Sequence, residues 1–179
     1  TIKNNIILKD NWTFMSPNII LNHQEINHKL NRIAHQIYEA NINEEQVVLA
    51  GIDKNGFILG GLLKEKLEEI SELDVIICKV IIDKLNPLEE IKTSLDVSNY
   101  KNKSIILIDD VLNSGATLIY GVKHFLSVPL KRFKTVVLVN RNHKKYPVKA
   151  DFKGISLSTS LNEHVTVSLK KNNYEVTLS

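Results

Sequence analysis

The stretch IILIDDVLNSGAT, residues 105–117, sets two adjacent carboxylates, Asp109 and Asp110, after four apolar residues and just ahead of a glycine-bearing turn. Carboxylates at the end of a buried strand are costly unless something pairs with them. The turn after them suits an anion. Residues Asn113, Ser114, Gly115, Ala116 and Thr117 open a helical pattern, and the first N–H groups of a helix lack partners and favour a phosphate. Gly115 lets the backbone approach the anion closely, while Ser114 and Thr117 add hydroxyl donors. Two acids beside an anion are useful if they accept from a sugar diol or from the hydration shell of magnesium. The residues alone leave a plainer reading open, in which Asp110 caps the helix and Asp109 pairs with a lysine. No lysine follows the glycine in a Walker pattern and no G-x-G-x-x-G is present, so the triphosphate and dinucleotide readings lose ground.

The elements that must position these residues alternate along the chain. NHQEINHKLNRIAHQIYEAN repeats apolar residues at helical spacing (Ile26, Leu30, Ile33, Ile37, Tyr38), and Asn22 with Glu25 forms a capping box. QVVLAGI, 46–52, has the length and composition of a buried strand. GFILGGLLKEKLEEI follows as a helix expected to bury Ile58, Leu62, Leu67 and Ile70. DVIICKVII, 74–82, is too continuously apolar for a one-sided strand. SIILI and TVVLV are further buried strands with the helix ATLIYGVKHFL between them. This is the pattern of βαβ units around a parallel sheet. After residue 150 it changes: HVTVSLKKNNYEVTLS alternates with period two around Lys171-Asn172-Asn173, as an antiparallel hairpin would. The segment 83–102 is long for a plain connection and reads as a lid.

With 179 residues, the chain supports one domain, 43% hydrophobic and 24% charged, with a net charge of +3. That charge permits an anionic ligand without demonstrating nucleic-acid binding. No apolar run approaches the roughly 20 residues that span a bilayer, the N-terminus lacks a signal-peptide core, and a cytoplasmic setting is expected. Cys78 is the only cysteine, which excludes an intrachain disulfide and a cysteine zinc site. The six histidines show no metal or triad spacing.

Residues 105–117 closely resemble the thirteen-residue phosphoribosyl pyrophosphate (PRPP) signature of the type I phosphoribosyltransferases. LNRIAHQIYEAN, LAGIDKNGFILGGLLKEKLEEI and VVLVNRNHKKYPVKADFKG resemble the matching stretches of the PyrR group, the pyrimidine-operon attenuators with uracil phosphoribosyltransferase activity. The resemblance implies an α/β fold. A Rossmann-like parallel sheet is flanked by helices, and a small hood comes from the chain ends, about 1–20 and 140–179, all within one domain. It implies that Asp109 and Asp110 bind the ribose hydroxyls and magnesium, the metal through water, and that Asn113 to Thr117 hold the 5′-phosphate. Gly51, Ile52, Asp53, Lys54, Asn55 and Gly56 stand where the family keeps its pyrophosphate loop; from spacing alone this turn is an ordinary strand-to-helix connection. The base is expected near Asn140, Arg141 and Phe152, with Phe152 stacking on it or serving as a core aromatic. Asn140 stands where purine-salvage relatives use a lysine, and Asn113 where they use an aspartate, so the resemblance points to a pyrimidine, uracil first. The family's aromatic-arginine element after the third core strand is missing from VIIDKLNPLEEIKTS, where Lys84 or Lys92 is available instead.

Two functions follow as expectations. One is an enzyme that forms a nucleoside monophosphate from PRPP and a base, releasing pyrophosphate, in an assembly of identical subunits. The other is a regulator that senses PRPP or a nucleotide and binds RNA or a protein partner. The basic stretch Lys131, Arg132, Lys134, Arg141, Lys144, Lys145, Lys149 and Lys153 bears on the second, although a solvated rim is the favoured reading of it.

Overall fold

The structure is a computed structural model that describes residues 18–141, 143–160 and 163–179. Its centre is a six-stranded sheet in the order β4-β3-β2-β5-β6-β7. The strands are β2 (Gln46–Ile52), β3 (Asp74–Ile81), β4 (Lys92–Thr93), β5 (Ser104–Leu112), β6 (Arg132–Arg141) and β7 (Phe152–Leu157). All neighbours are parallel except β4, which pairs antiparallel with β3 at one edge. Helices α1 (His23–Ala40) and α2 (Asp53–Ile70) bury Ile26, Leu30, Ile33, Leu59 and Leu63 in one core cluster with Leu49, Ile106 and Leu138 of the sheet. The short α3 (Val97–Tyr100) and α4 (Ala116–Phe125) supply Tyr100, Leu118 and Phe125 to a second cluster with Val48, Ile105 and Leu107. Apolar residues on both faces of β2 and β5 explain why these strands read as continuous hydrophobic runs.

Chain order fixes where a ligand fits. From β2 the chain moves through α2 to β3 on one side, then returns through β4 to β5 on the other. In such a sheet the crevice opens outside the carboxyl ends of the two strands where the direction reverses. Those are the ends of β2 and β5, which carry the turns at 51–56 and 109–117.

Helix α1 begins as expected, with Asn22 and Glu25 exchanging both bonds of the capping box at 3.0 and 2.9 Å. Helix α2 departs from expectation. Its buried face is Gly56, Leu59, Gly60, Leu63 and Leu67, whereas Ile58 is 41% exposed and Leu62 and Ile70 lie at the rim. The backbone comes closest to the sheet at the glycines. A Cβ on Gly56 would sit 2.6 Å from the Ile108 carbonyl oxygen, and one on Gly60 would sit 3.0 Å from Ile77 Cδ1. A reading based on apolar side chains cannot see a face whose contact is set by their absence.

Within the 140–179 stretch, residues 152–157 form β7 at the edge of the main sheet, with Val136 opposite Phe152. The short strand lacks a period-two signature because its apolar residues, Phe152, Ile155 and Leu157, fall at mixed parity around Gly154. Strand β1 (Asn18–Leu21) joins β9 (Asn173–Leu178) and β8 (Val165–Lys170) in a separate three-stranded antiparallel sheet. The β8–β9 hairpin forms where the alternation places it, with Lys170 opposite Asn173 and Asn172 left-handed at φ 63°. The part of the expected hood at residues 1–17 lies outside the described residues. Within 83–102, β4 and α3 are ordered elements, and residues 83–91 form an irregular exposed segment with Leu85 97% exposed.

Two glycines of α2 should therefore respond oppositely to alanine. Gly56→Ala forces the α2 backbone away from β5 and should lower stability by about 1–3 kcal/mol or more. Gly61 meets nothing within 4 Å, so Gly61→Ala should raise stability by roughly 0.5–1 kcal/mol. Urea unfolding midpoints of both variants check this.

Candidate functional site

Each of the two turns leaves a helix start facing the crevice. Gly115 is the only glycine among the described residues with a positive φ, at 85°, and it precedes Ala116, the first residue of α4. A Cβ there would be strained and would meet Val148 Cγ1 at 2.6 Å. The loop is held from behind: Ser114 O accepts the N–H groups of Lys145 and Tyr146 at 2.8 and 3.2 Å. That carbonyl therefore does not continue into the helix ladder. The Ser114 hydroxyl accepts the Ala116 N–H at 3.3 Å. The N–H groups of Thr117 and Leu118 find no partner among the described residues. A small pocket lined by Asp109, Asn113, Ser114, Gly115 and Thr117 lies over this helix start. It is shaped for an anion held by N–H groups, hydroxyls and the helix dipole.

At the other turn, Gly51 and Ile52 end β2, and Asp53, Lys54, Asn55 and Gly56 form the first turn of α2. The six residues are thus a strand end and a helix start. The glycines are required by packing: a Cβ on Gly51 would lie 2.5 Å from the Gly56 carbonyl oxygen. The residue that takes the unusual backbone is Asp53, left-handed at φ 55°.

The two acids lie inside β5, which runs on to Leu112 instead of ending before them. Being consecutive in a strand, their side chains leave on opposite faces. Asp109 lines the phosphate-loop pocket and is 4% exposed. Asp110 turns to α2 and the hood, where Asn55 Nδ2 donates to its Oδ2 at 2.7 Å and to Val167 O at 3.1 Å. Asn55 therefore ties the α2 turn, the acid pair and strand β8 together. Each acid also accepts the N–H of the next residue: Asp109 from Asp110 at 3.0 Å, Asp110 from Val111 at 2.9 Å. Burial, and then the neighbouring Asp110 charge, push the Asp109 carboxyl well above its usual range, with Lys84 pulling the other way.

Not every expected site residue reaches this crevice. Arg141 is buried and committed to the backbone: it donates to Thr159 Oγ1, Ser160 O and Glu163 O at 3.0, 3.2 and 2.7 Å. Phe152 opens β7 at the level of Ile108 and Val136, below the acids, and packs on the cluster beneath α1. Its side chain is half-buried against that cluster. Asn140 lies opposite Leu112 near the strand ends, its Nδ2 3.4 Å from Ser156 Oγ and its buried Oδ1 without a partner. Among the three, only Asn140 keeps an unmet polar atom. Val148 and Tyr146, which back the 113–117 loop, were not legible as partners in the sequence; Lys84, one of the two lysines available there, stands 3.9 Å from Asp53 at the head of the 83–91 segment.

Comparison with known proteins agrees with this geometry. Residues 16–172 match the phosphoribosyl transferase domain family. The chain is 32% identical over 166 residues to the Bifunctional protein PyrR of Staphylococcus saprophyticus, covering 88% of this chain and 94% of that one. It is 33% identical over 164 residues to the Bifunctional protein PyrR of Macrococcus caseolyticus, covering 87% and 93%. Among solved structures it resembles the hypoxanthine phosphoribosyltransferase of Trypanosoma cruzi, with a TM-score of 0.73 and 16% identity over 91% of this chain and 96% of that one, a likeness of fold. With two helix starts and an acid pair gathered at the switch point of a parallel sheet, and a family match spanning most of its length, the chain belongs to the phosphoribosyltransferases, which are pentosyltransferases.

Proposed function

We propose that this protein takes PRPP with magnesium, transfers ribose 5-phosphate to a pyrimidine base, uracil first, and releases pyrophosphate. The observation that carries the reading is the uncapped start of α4 beside Asp109: N–H groups of Thr117 and Leu118 without partners, two hydroxyls and a left-handed glycine, all at one pocket. In this reading Asn113 to Thr117 hold the 5′-phosphate. Asp109 and Asp110 accept from the ribose hydroxyls, and the 51–56 turn receives the pyrophosphate at the start of α2. The uracil assignment rests on the similarity to PyrR proteins and on Asn140 and Asn113, which differ from the purine-salvage pattern.

The donor set fits magnesium. Among the described residues no group of three metal-ligating side chains is present, but magnesium bound through one or two carboxylates, its own waters and substrate phosphates needs none. The buried pair Asp109 and Asp110, where burial and then the neighbouring charge raise the Asp109 carboxyl, is relieved by a cation brought in with the donor. When bound, the ion neutralises charge developing on the pyrophosphate. The chain's own part is positioning: the α4 start anchors the 5′ end, the acids fix the sugar, and the α2 turn orients the leaving group. Asn140 offers its unpaired carbonyl or amide to the base. Phe152 and Arg141 support the site from the core and from the 159–163 backbone.

The regulator reading draws less support. Of the basic stretch, Lys131 pairs with Glu44 at 2.8 Å, Lys134 with Asp151 at 2.8 Å, and Arg141 is buried. The two lysines sit in surface ion pairs with acids and the arginine is taken up inside the fold, which leaves a thinner rim for RNA phosphates. Among the described residues no helix is long and apolar enough to cross a membrane, and a cytoplasmic setting and a homo-oligomer remain part of the proposal.

Supplying PRPP and magnesium with a panel of bases should release pyrophosphate with uracil and not with hypoxanthine or guanine. Silence with every base, alongside tight PRPP binding, would favour the sensor. The double variant Asp109→Asn, Asp110→Asn should stay folded and lose PRPP affinity by about 100-fold or more, consistent with several lost charge-assisted contacts; calorimetric titration reads it.

Asp109 also links function to pH. A carboxyl raised in the fold contributes stability in full below its unfolded value, about 3.9, and loses it as pH rises through the folded value. At neutral pH the ionised form is therefore a burden on the unliganded protein. Asp109→Asn alone should raise the melting temperature at pH 7 without ligand, with the gain vanishing near pH 4. Melting curves across that range test it.

A further inference from the structure

Asn55, half-buried in the first turn of α2, sets its side-chain amide between two acceptors. Its Nδ2 donates to Asp110 Oδ2 at 2.7 Å and to the Val167 carbonyl oxygen of β8 at 3.1 Å. An ionised carboxylate and a backbone carbonyl offer no proton, so the atom that meets both is the amino group, and the two bonds use both of its protons. Few side chains satisfy that demand. Serine and threonine have one proton to give, aspartate has none, and lysine or arginine brings a positive charge. The position calls for a neutral group with two protons, which is what Asn55 supplies.

The other bonds of Asp110 show what the amide does for it. Asp110 Oδ1 accepts the Val111 N–H at 2.9 Å, so with Asn55 on Oδ2 both oxygens are held and the carboxylate has one orientation. A cation in place of the amide would cancel the charge that a hydrated magnesium is to meet. The amide orients without cancelling. It also reaches the hood. Among the described residues, two side-chain hydrogen bonds join strands β1, β8 and β9 to the helices: this one, and the bond from the Tyr174 N–H to His23 Nδ1 at 3.1 Å. Only the first touches the acid pair.

We propose that the Asn55 side chain is a positioning group, which orients Asp110 for the sugar hydroxyls and links that carboxylate to strand β8, so that the hood and the acid pair move together. This rests on the PRPP reading of the site and adds to it a side chain that acts through Asp110. Without the amide, Asp110 is left with the Val111 bond alone and turns about χ2, away from the diol it is to meet. A misdirected acceptor loses binding because a hydrogen bond weakens steeply as its angle closes. The hood loses a tie at the same moment, since one amino group serves both acceptors. Gly56 brings the backbone of this turn against Ile108, so the amide acts from a fixed base.

Calorimetric titration of the full chain with PRPP and magnesium tests the orienting role. Asn55→Ala should weaken PRPP by about tenfold, as the loss of a charge-assisted hydrogen bond does. Asn55→Asp keeps the side chain's shape and removes both protons, so it should lose at least as much; a smaller loss than alanine's makes the role one of packing and overturns the proposal. In an Asp110→Ala background, Asn55→Ala should cost less than about twofold more, because the group it acts through is gone. Amide hydrogen exchange of the unliganded protein tests the link to the hood. Asn55→Ala should speed exchange in β8 and β9 severalfold, while β2 and β5 keep wild-type rates and show that the variant is folded. Unchanged PRPP affinity in Asn55→Ala, a loss that adds in full to that of Asp110→Ala, or unchanged exchange in β8 overturns the proposal and leaves the site reading standing. A wild-type protein that does not bind PRPP overturns the site reading, and this role with it.

Discussion

Two carboxylates on consecutive residues of a buried strand repel each other, and the site is arranged around that repulsion. Asp109 and Asp110 escape part of it by leaving opposite faces of β5. Each then meets a different half of the crevice: Asp109 the α4 start, Asp110 the α2 turn through Asn55. Burial, and after it the neighbouring Asp110 charge, raise the Asp109 carboxyl, a local cost the surrounding core must outweigh. Burial of apolar residues on both faces of β2, β5 and β6 supplies that margin. In the proposed reading, sugar hydroxyls and a hydrated cation supply what this buried acid pair lacks.

The same repulsion needs rigid walls, and glycine provides them. Gly56 brings the α2 backbone against Ile108, the residue before Asp109, with the Asp109 Cα 3.4 Å from where a Cβ would stand. Gly51 brings the end of β2 against the same turn. Any shift of the α2 start is thus passed to the acid pair by backbone contact. The α2 turn and the acid pair are mechanically one unit. On the far side, Ser114 O tied to Lys145 and Tyr146 fixes the α4 start against the segment after β6.

How much of this was legible in the sequence depends on the kind of atom that makes each contact. Strands β2, β3, β5, β6, β8 and β9, the capping box of α1, the hairpin at Lys171-Asn172 and the glycine turn at 113–117 all rest on local periodicity or turn chemistry, which sequence carries directly. The face of α2 was not legible, because Gly56 and Gly60 define it by lacking side chains. Strand β7 was hidden because six residues at a sheet edge, half covered, alternate too weakly to be distinguished from loop. Arg141 looked like a ligand group in a basic stretch. Only the fold shows the 159–163 carbonyls that claim it. Phe152 had two readings in the sequence, and the fold places it half-buried against the cluster under α1.

These differences divide the crevice into halves of unequal kind. In the proposed reading the sugar-phosphate half is made of strand ends, helix starts and their N–H groups, so it is specified by the fold itself. The base half then depends on a few side chains such as Asn140 and on the chain at Thr159, Ser160 and Glu163, to which Arg141 donates. A substitution there changes which hydrogen-bond pattern is matched without disturbing a strand or a helix start. This explains how a chain with 16% identity to a purine-using enzyme keeps that enzyme's fold while its base contacts are free to differ. The unmet polar atom of Asn140, buried beside the strand ends, costs the unliganded protein stability, and in the proposed reading a base that satisfies it is selected over one that does not.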